Sequence, residues 1–421
     1  MLDSSPASPA RPTFADITTI GVGGSIAAFA CPKDRVGLIE AVEGADAQGQ
    51  PLCVIGGGSN LLVSDDPFPG LVVRDARHEM YVLDEAAPVE GQDRSVHVGA
   101  TAGTNWDDLV DYCVRMGLAG IEGLSGIPGT VGASVVQNIG AYGQEVAQSV
   151  QSVEVWDRER KTTQELSAQD LAFGYRSSAL KSSMYEAPGQ PAESFFPTPR
   201  FVVLSVTFAL RHSRASRVDF DQLARALGVE VGDQMPTEQI RQAVLSIRAQ
   251  KGMLEDPYRY LNPWMRGSRQ RDNAQAAIDS LQAAVDQAGG VDSPQGQDLI
   301  ANRHSCGSFF MNPVISEEQA VSLPAEAPRF PVISAGQQAD PARVKTSAAW
   351  LIDHAGFHKS FALPKAQAGL STVHTLALTN RGSASSQELA DLAFAIRSGV
   401  EAAFGLSLIP EPVLVGLQLD R

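Results

Sequence analysis

The strongest guide to the architecture of this chain is the run IPGTVGASVVQNIGAYGQE, residues 127–145. It carries four glycines, Gly129, Gly132, Gly140 and Gly143, with polar side chains between them. Glycine lets the main chain approach a ligand closely, and successive amides in a turn form a concave site for an anion. The run therefore predicts a phosphate-binding turn.

A second glycine turn, GGGSN at residues 56–60, stands between apolar stretches that predict short buried strands at residues 52–55 and 61–63. An ordinary tight turn would have the same composition. Two such turns in one domain nevertheless indicate a diphosphate ligand. Neither turn follows the GxGxxG pattern with an acidic residue about twenty positions further on, and the P-loop pattern is absent, which disfavours a Rossmann site.

Length and composition indicate the class of protein. A chain of 421 residues with 43% hydrophobic and 19% charged residues predicts two to three globular domains. It has no apolar run of about 18 residues, so we expect no membrane partner. The first dozen residues are rich in Pro, Ser and Ala without an apolar core, which predicts a disordered tail and a cytoplasmic protein. The cysteines are too widely spaced for a disulfide framework or a zinc site, so we expect reduced thiols and no metal: Cys31, Cys53, Cys113 and Cys306.

The formal net charge of −15 argues against nucleic acid as a partner, because phosphate binding along a nucleic acid requires a basic surface. An anionic ligand must therefore be held locally, by main-chain N–H groups and a few placed Arg or Lys side chains.

Strands and helices alternate along the chain without a strict βαβ rhythm. Helices are expected at residues 36–47, at 104–117 with Thr104 and Asp107 as a cap, and after the capping box of Ser385 and Glu388. Strands are expected at 153–156 and 201–210. Residues 258–303 are polar, with Arg266, Arg269 and Arg271, and predict a surface insertion with a single helix; a lid or a partner site is the alternative.

Six short motifs occur in one order along the chain. They are GGGSN, the 127–145 run, FGYRSS (173–178), CGSFFMNP (306–313), WLIDHAGF (350–357) and PEPVLVG (410–416). In this order they resemble the UDP-N-acetylenolpyruvoylglucosamine reductase family, from about residue 18 to 416, with 258–303 as an interruption. The resemblance implies an FAD enzyme of peptidoglycan precursor synthesis.

The resemblance also implies a fold. It is an α+β protein with an FAD-binding domain of the vanillyl-alcohol oxidase (PCMH) type in two subdomains and a separate α/β substrate-binding domain. The expected limits are a tail at 1–14, subdomains at 15–75 and 76–212, and a substrate domain at 213–421 whose C-terminal segment returns to the active site. Oligomeric state leaves no trace in the sequence, and a monomer is the expectation.

In the family reaction, NADPH reduces FAD, and hydride then passes to the enolpyruvyl group of UDP-N-acetylglucosamine enolpyruvate. Charge builds up on the adjacent carbon and carboxylate, which need a strong donor and a proton source. By motif position, Arg176 would clamp the developing enolate, Glu411 would lie beside the same carboxylate, and Ser308 would deliver the proton. Cys306 and Ser305 would be bystanders.

The remaining site residues follow from the same motifs. Substrate binding is assigned to Tyr175, Phe220, Lys251 and Asn312. Family members with a long loop in the substrate domain usually place a tyrosine over the nucleotide, and Phe220 stands at the corresponding position in this chain. Cofactor binding is assigned to Gly56, Gly57, Gly58, Ser59, Asn60, Ile127, Pro128, Gly129, Gly132, Ser134, Asn138, Gly140 and Tyr142.

Two alternatives remain open at the level of sequence. Another FAD-dependent oxidase or dehydrogenase of the same superfamily would use the same glycine turns without needing Arg176, Ser308 and Glu411. A flavin or nucleotide binder without enzymatic activity would carry those three residues by accident.

Overall fold

The computed structural model describes residues 11–84, 95–185, 197–265, 274–332 and 340–419. Residues 1–10 of the expected tail and the arginines Arg266, Arg269 and Arg271 lie outside these ranges. Thr13 and Phe14, also assigned to the tail, instead form the start of the first helix, which Thr13 caps and where Phe14 is fully buried.

The described helices are α1 (Phe14–Ile17), α2 (Arg35–Ala47), α3 (Trp106–Arg115), α4 (Val131–Gln137), α5 (Ala179–Ser182), α6 (Asp221–Leu227), α7 (Thr237–Gln250), α8 (Gln275–Gln287), α9 (Pro294–Asn302), α10 (Glu317–Ser322), α11 (Ala348–His354) and α12 (Ser386–Phe404). The described strands are β1 (Ile26–Ala30), β2 (Leu52–Val54), β3 (Leu61–Val63), β4 (Phe68–Val73), β5 (Met80–Val82), β6 (Ser95–Thr101), β7 (Leu118–Ala119), β8 (Gly140–Ala141), β9 (Gln144–Glu145), β10 (Val150–Asp157), β11 (Thr162–Ser167), β12 (Phe201–His212), β13 (Ala215–Arg217), β14 (Gln234–Pro236), β15 (Val314–Ser316), β16 (Arg329–Val332), β17 (Asp340–Thr346), β18 (Ala368–Leu370), β19 (Leu378–Asn380) and β20 (Val413–Val415).

The first subdomain is built on a small parallel sheet in the order β1-β4-β2. Helix α2 packs against it, with Leu38 and Val42 buried against Leu52 and Val73. The predicted strand at residues 61–63 is β3, but it pairs with β20 from the end of the chain. The C-terminal segment therefore returns to the first glycine turn.

The second subdomain is an antiparallel sheet in the order β11-β10-β12-β6-β5. Its strands β10 and β12 contain the predicted strands at 153–156 and 201–210 and extend them. Helices α3 and α4 contribute to one buried core with this sheet, in which Trp106 packs edge-on against Phe208 with ring centroids 6.0 Å apart.

The predicted cap of α3 is wrong. Asn105 caps this helix, and its side chain accepts a hydrogen bond from the N–H of Asp108 at 3.1 Å. Thr104 faces away and donates to the carbonyl of Glu79, while Asp107 pairs with Arg241 of α7. Thr and Asn both suit an N-cap, so sequence alone places the boundary only to within a residue.

The part of the chain after β12, called the third domain below, contains α6 and α7, the sheet β15-β17-β16 and the hairpin β18-β19. Helix α12 covers its core, and the predicted capping box of Ser385 and Glu388 is confirmed. The helix ends at Gly405, which adopts the left-handed conformation with φ of 67°.

The segment 258–303 differs from its prediction. It contains two α-helices, α8 and α9, in addition to a 3-10 turn at Pro257–Leu261. Its first part is not a surface loop, since Tyr260 and Met265 are buried in the core of the first subdomain. The prediction failed because a helix with only a few apolar residues on one side, such as Leu281, can still be buried against α7. A broad apolar face is not required for such packing.

Within the described ranges, no helix is long and apolar enough to cross a membrane. The His, Cys, Asp and Glu side chains of the same residues form no group of three that could hold a metal ion.

Candidate active site

A cavity of about 280 Å³ lies where the two subdomains and the third domain meet. Arg176, Ser308 and Glu411, which are far apart in the sequence, all line it. Both glycine turns contribute to the same wall, through residues 59–60 and 127–130.

The Arg176 guanidinium is held by an ion pair and two main-chain carbonyls. Its Nε lies 3.1 Å from Glu411 Oε1. Its Nη1 and Nη2 donate to the carbonyls of Asn138 (3.3 Å) and Gly140 (2.5 Å). A Cβ at residue 140 would lie 2.8 Å from Arg176 Nη1, so glycine leaves the space that the guanidinium fills. Arg176 has a φ of +54°, a costly conformation for a residue with a side chain, and these contacts hold it there.

Glu411 is fixed through both its main chain and its side chain. Its N–H donates to the carbonyl of Phe309 at 2.8 Å, and its own carbonyl accepts from Lys181 Nζ at 3.2 Å. Its carboxylate accepts from Gln137 Nε2 at 3.2 Å, and Lys181 Nζ also donates to Gln137 Oε1 at 2.8 Å. Burial lowers the pKa of the Lys181 ammonium, and the charge of Glu411 opposes that shift.

Ser308 lies in a stretch of chain that pairs with the stretch containing Glu411. Phe309 and Phe310, which follow it, are buried and pack edge-on with ring centroids 5.1 Å apart. Within the described ranges, the Ser308 hydroxyl has no hydrogen-bond partner. It is therefore available to a ligand in the cavity.

Cys306 and Ser305 are engaged elsewhere. The Cys306 thiol donates to the carbonyl of Leu61 at 3.0 Å, and burial raises its pKa to about 12. The Ser305 hydroxyl accepts from the N–H of Gly307 at 3.3 Å. Both residues also line the cavity, so their expected role as bystanders stays a prediction.

The two glycine turns touch each other and leave a row of amides free. A Cβ on Gly57 would lie 2.7 Å from the Cα of Gly129, so both turns depend on absent side chains. Among the described residues, none accepts a hydrogen bond from the main-chain amides of residues 56–60. Such a row of amides suits a diphosphate.

A second cavity, of about 140 Å³, continues from these turns between the two subdomains. Ser59 and Asn60 line both cavities, and Val54, Phe201 and Val413 give the second an apolar wall. The turns thus lie between the chamber that contains Arg176, Ser308 and Glu411 and an apolar chamber, an arrangement that fits a flavin dinucleotide.

Sequence comparison decides the family. Residues 298–415 match the family model described as UDP-N-acetylenolpyruvoylglucosamine reductase, C-terminal domain, and residues 12–166 match that of an FAD binding domain. The chain is 39% identical over 414 residues to the UDP-N-acetylenolpyruvoylglucosamine reductase of Thermobifida fusca, with 96% of this chain and 97% of the relative covered. The chain belongs to the UDP-N-acetylenolpyruvoylglucosamine reductase family.

Two further members of this reductase family agree. The enzyme of Saccharopolyspora erythraea is 39% identical over 413 residues, with 96% of this chain and 95% of the relative covered. The crystal structure of the reductase from Thermus caldophilus superposes with a TM-score of 0.53 at 23% identity, covering 96% of this chain and 98% of that one. The predicted α+β fold, with an FAD-binding domain and a separate substrate domain, is confirmed.

Most residues that the reductase resemblance assigned to FAD line one of the two cavities. Asn138 and Tyr142 line neither. Asn138 has a local structural task, since its side chain donates to the carbonyl of Gly174 at 2.7 Å and accepts from the N–H of Ala147. The assigned residues found in the walls are Gly56, Gly57, Gly58, Ser59, Asn60, Ile127, Pro128, Gly129, Gly132, Ser134 and Gly140.

Two residues assigned to the substrate in this reductase family form a pair behind the Arg176 site. Asn312 hydrogen-bonds the hydroxyl of Tyr175, and burial raises the pKa of that phenol. The Asn312 side-chain oxygen also accepts from the N–H of Ala348 at 2.9 Å. Arg176 lies over the Tyr175 ring, 5.3 Å from its centroid. Neither Tyr175 nor Asn312 lines the described cavity.

The other two residues assigned to the substrate, Phe220 and Lys251, line neither described cavity. Phe220 packs edge-on against the Tyr142 ring with centroids 5.7 Å apart, and Arg248 hydrogen-bonds the Tyr142 hydroxyl. Lys251 Nζ donates to Gln222 Oε1 at 2.7 Å, and burial lowers its pKa. Arg248 lines the cavity and connects it to this group.

Sequence reasoning missed several residues of the reductase cavity. Gln137 lines the cavity and Lys181 lies outside its lining; both hydrogen-bond Glu411, and no sequence motif indicates these contacts. Arg248, Arg259 and Arg303 add cations to the wall. The last two belong to a segment whose polar composition indicated a solvent-exposed surface.

Proposed function

We propose that this chain reduces UDP-N-acetylglucosamine enolpyruvate to UDP-N-acetylmuramate, with FAD as cofactor and NADPH as hydride donor, in peptidoglycan precursor synthesis. The proposal includes a monomeric, cytoplasmic enzyme that binds neither membrane nor nucleic acid. The observation that carries it is the meeting of Arg176, Ser308 and Glu411 in one cavity beside the glycine turns. A flavin oxidase without this substrate would have no use for all three.

When bound, FAD supplies hydride chemistry between a nicotinamide and the enolpyruvyl group. Residues 56–60 would hold its diphosphate through their free amides, and residues 127–130 would lie beside it. The apolar chamber at Val54, Phe201 and Val413 would exclude water from an apolar part of the dinucleotide.

Arg176 would bind the substrate carboxylate. A guanidinium offers paired donors in a plane, which suits a carboxylate whose negative charge grows during reduction. Because its ion pair with Glu411 and its contacts with main-chain carbonyls fix it beforehand, it would not have to reorganise when charge develops.

Ser308 would donate the proton to the carbon next to that carboxylate. A hydroxyl is a weak acid in water, but the carbanion-like carbon is a much stronger base than its usual partners. The hydroxyl has no partner among the described residues, which leaves it able to point at this carbon.

Glu411 would keep Arg176 in place and share the polar contacts of the carboxylate. Gln137 of α4 donates to its carboxylate, and Lys181 of α5 donates to its main-chain carbonyl.

The cavity suits an anionic ligand despite the acidic chain. Its three acidic lining residues each have an arginine partner: Glu411 with Arg176 (3.1 Å), Asp256 with Arg303 (3.4 Å) and Glu255 with Arg259 (3.9 Å). Arg248 remains as an additional cation in the wall. Because the whole chain carries a net charge of −15, a nucleotide needs a local excess of positive charge at its binding site.

Flavin colour in the absence of air tests the proposal. NADPH should bleach the yellow holoenzyme, and addition of UDP-N-acetylglucosamine enolpyruvate should restore the colour and yield UDP-N-acetylmuramate. Recovery with oxygen but not with the sugar nucleotide would show an oxidase of the same superfamily instead.

A further inference from the structure

The first part of the 258–303 segment is anchored in the flavin domain. Arg74, which is fully buried, donates to the carbonyls of Trp264 (3.1 Å) and Met265 (3.0 Å). Asn262 Nδ2 donates to the carbonyl of Asp16 at 2.8 Å. Together with the burial of Tyr260, these contacts fix the 3-10 turn Pro257–Leu261 against the first subdomain.

Arg259 projects from this turn onto the first glycine turn. Its Nη2 donates to the carbonyl of Gly57 at 2.9 Å and to that of Ile17 at 3.2 Å. Arg259 also lines the large cavity. A residue of the polar segment thus touches the turn that is expected to hold a diphosphate.

The other guanidinium nitrogen of Arg259 lacks an acceptor. Nη1 is buried and makes no hydrogen bond to any described residue. The carboxylate oxygen paired with it, Glu255 Oε1, is 3.9 Å away and accepts from the Tyr260 hydroxyl at 2.5 Å. A buried charged donor whose ion-pair partner lies too far away for a hydrogen bond is costly, so this N–H has capacity for a second anionic partner.

The free amides of residues 56–60 indicate the same partner independently. A guanidinium beside a row of main-chain amides is a strong site for phosphate oxygens. We propose that Arg259 is a ligand of the FAD diphosphate, supplied to the glycine turn by the 258–303 segment. The inference rests on the proposed use of FAD and adds to it a binding task for that segment.

The test is FAD affinity, measured from flavin fluorescence as holoenzyme is diluted at increasing NaCl concentrations. Arg259→Met should weaken FAD binding at least about tenfold, the value of one charge-assisted hydrogen bond. It should also flatten the salt dependence, because one screened charge contact is lost. Arg259→Lys should recover part of both, and Arg225→Met, which removes an exposed arginine on α6, should match wild type.

Three results would overturn the inference. The first is an FAD affinity of Arg259→Met within twofold of wild type. The second is weaker binding with an unchanged salt dependence, which would mean that Arg259 only supports the turn. The third is a raised KM for the sugar nucleotide with FAD binding intact, which would place Arg259 on the substrate diphosphate. Wild-type protein that binds no FAD would instead contradict the proposed function.

Discussion

At the scale of a single residue, the Ser308 hydroxyl is expected to act in only one of the two half-reactions. It should take part in flavin reoxidation by the sugar nucleotide and not in flavin reduction by NADPH. Ser308→Ala removes the proposed proton donor but leaves the glycine turns and Arg176 untouched. We expect flavin reduction by NADPH at the wild-type rate and reoxidation by the sugar nucleotide about 10²- to 10⁴-fold slower, the usual contribution of a general acid. Stopped-flow absorbance of the flavin measures both steps.

The neighbouring Cys306 is the matched control for Ser308. Its thiol is buried, unionised near neutral pH and bonded to Leu61, so Cys306→Ala should leave both steps unchanged. If Ser308→Ala reoxidised as fast as wild type, the proton would come from another group and Ser308 would only line the cavity.

At the scale of elements, the glycine turns depend on contact between main chains. Gly57→Ala would place a methyl group 2.7 Å from the Cα of Gly129, and main-chain atoms cannot rotate away as a flexible side chain would. We expect the free energy of unfolding to fall by about 1–3 kcal/mol, and FAD to be lost on gel filtration. Absorbance of the purified protein at flavin and protein wavelengths measures occupancy.

Gly44 in α2 is the control, because a Cβ there meets nothing within 4 Å. Gly44→Ala should keep FAD and raise the free energy of unfolding by about 0.5–1 kcal/mol, since glycine is unfavourable inside a helix. Full flavin occupancy in Gly57→Ala would contradict the close contact of the two turns.

The turn between β18 and β19 carries a pH-sensitive group. Burial lowers the pKa of His374 from 6.5 to about 4, helped by the charges of Lys251 and Lys359, and its Nδ1 accepts from the N–H of Leu376 at 3.0 Å. Between these two values the unfolded chain binds a proton that the folded protein excludes, so stability should fall as the pH drops from about 6.5 to about 4. The full effect should be about 1–3 kcal/mol.

Urea unfolding at several pH values checks this expectation. His374→Asn retains an acceptor for Leu376 and cannot titrate, so it should remove this part of the pH dependence. His212→Asn, at an exposed position, should leave the dependence unchanged. Equal slopes for wild type and His374→Asn would assign the acid sensitivity to other groups.

At the scale of the whole molecule, short motifs predicted the family, the fold and the residues that meet in the cavity. They could do so because turns and active-site loops keep local patterns. Lys181 and Arg259 were missed because their partners, Glu411 and Gly57, lie far along the chain, and nothing local marks a lysine or arginine as buried. The two-helix structure of 258–303 was missed for the same reason. Its few apolar residues are buried by α7, and the local sequence does not show that α7 packs there.

The third domain is joined to the flavin domain by a buried ion pair that the sequence did not indicate. Arg241 of α7 donates to both carboxylate oxygens of Asp107 in α3, at 2.6 and 3.0 Å, and Asp107 also accepts from the N–H of Gly126. Arg241→Met would leave a buried carboxylate without its cation, which costs about 3–5 kcal/mol of unfolding free energy. Combining it with Asp107→Asn, which keeps an acceptor for Gly126, should cost less than Arg241→Met alone, because no charge stays unpaired. Arg217→Met, at an exposed pair with Asp219, should change stability by at most about 1 kcal/mol. Urea unfolding of wild type, Arg241→Met, Asp107→Asn, the double variant and the surface control decides the matter. If the losses of the two single variants add up in the double variant, the domains are joined by packing and not by this charge pair.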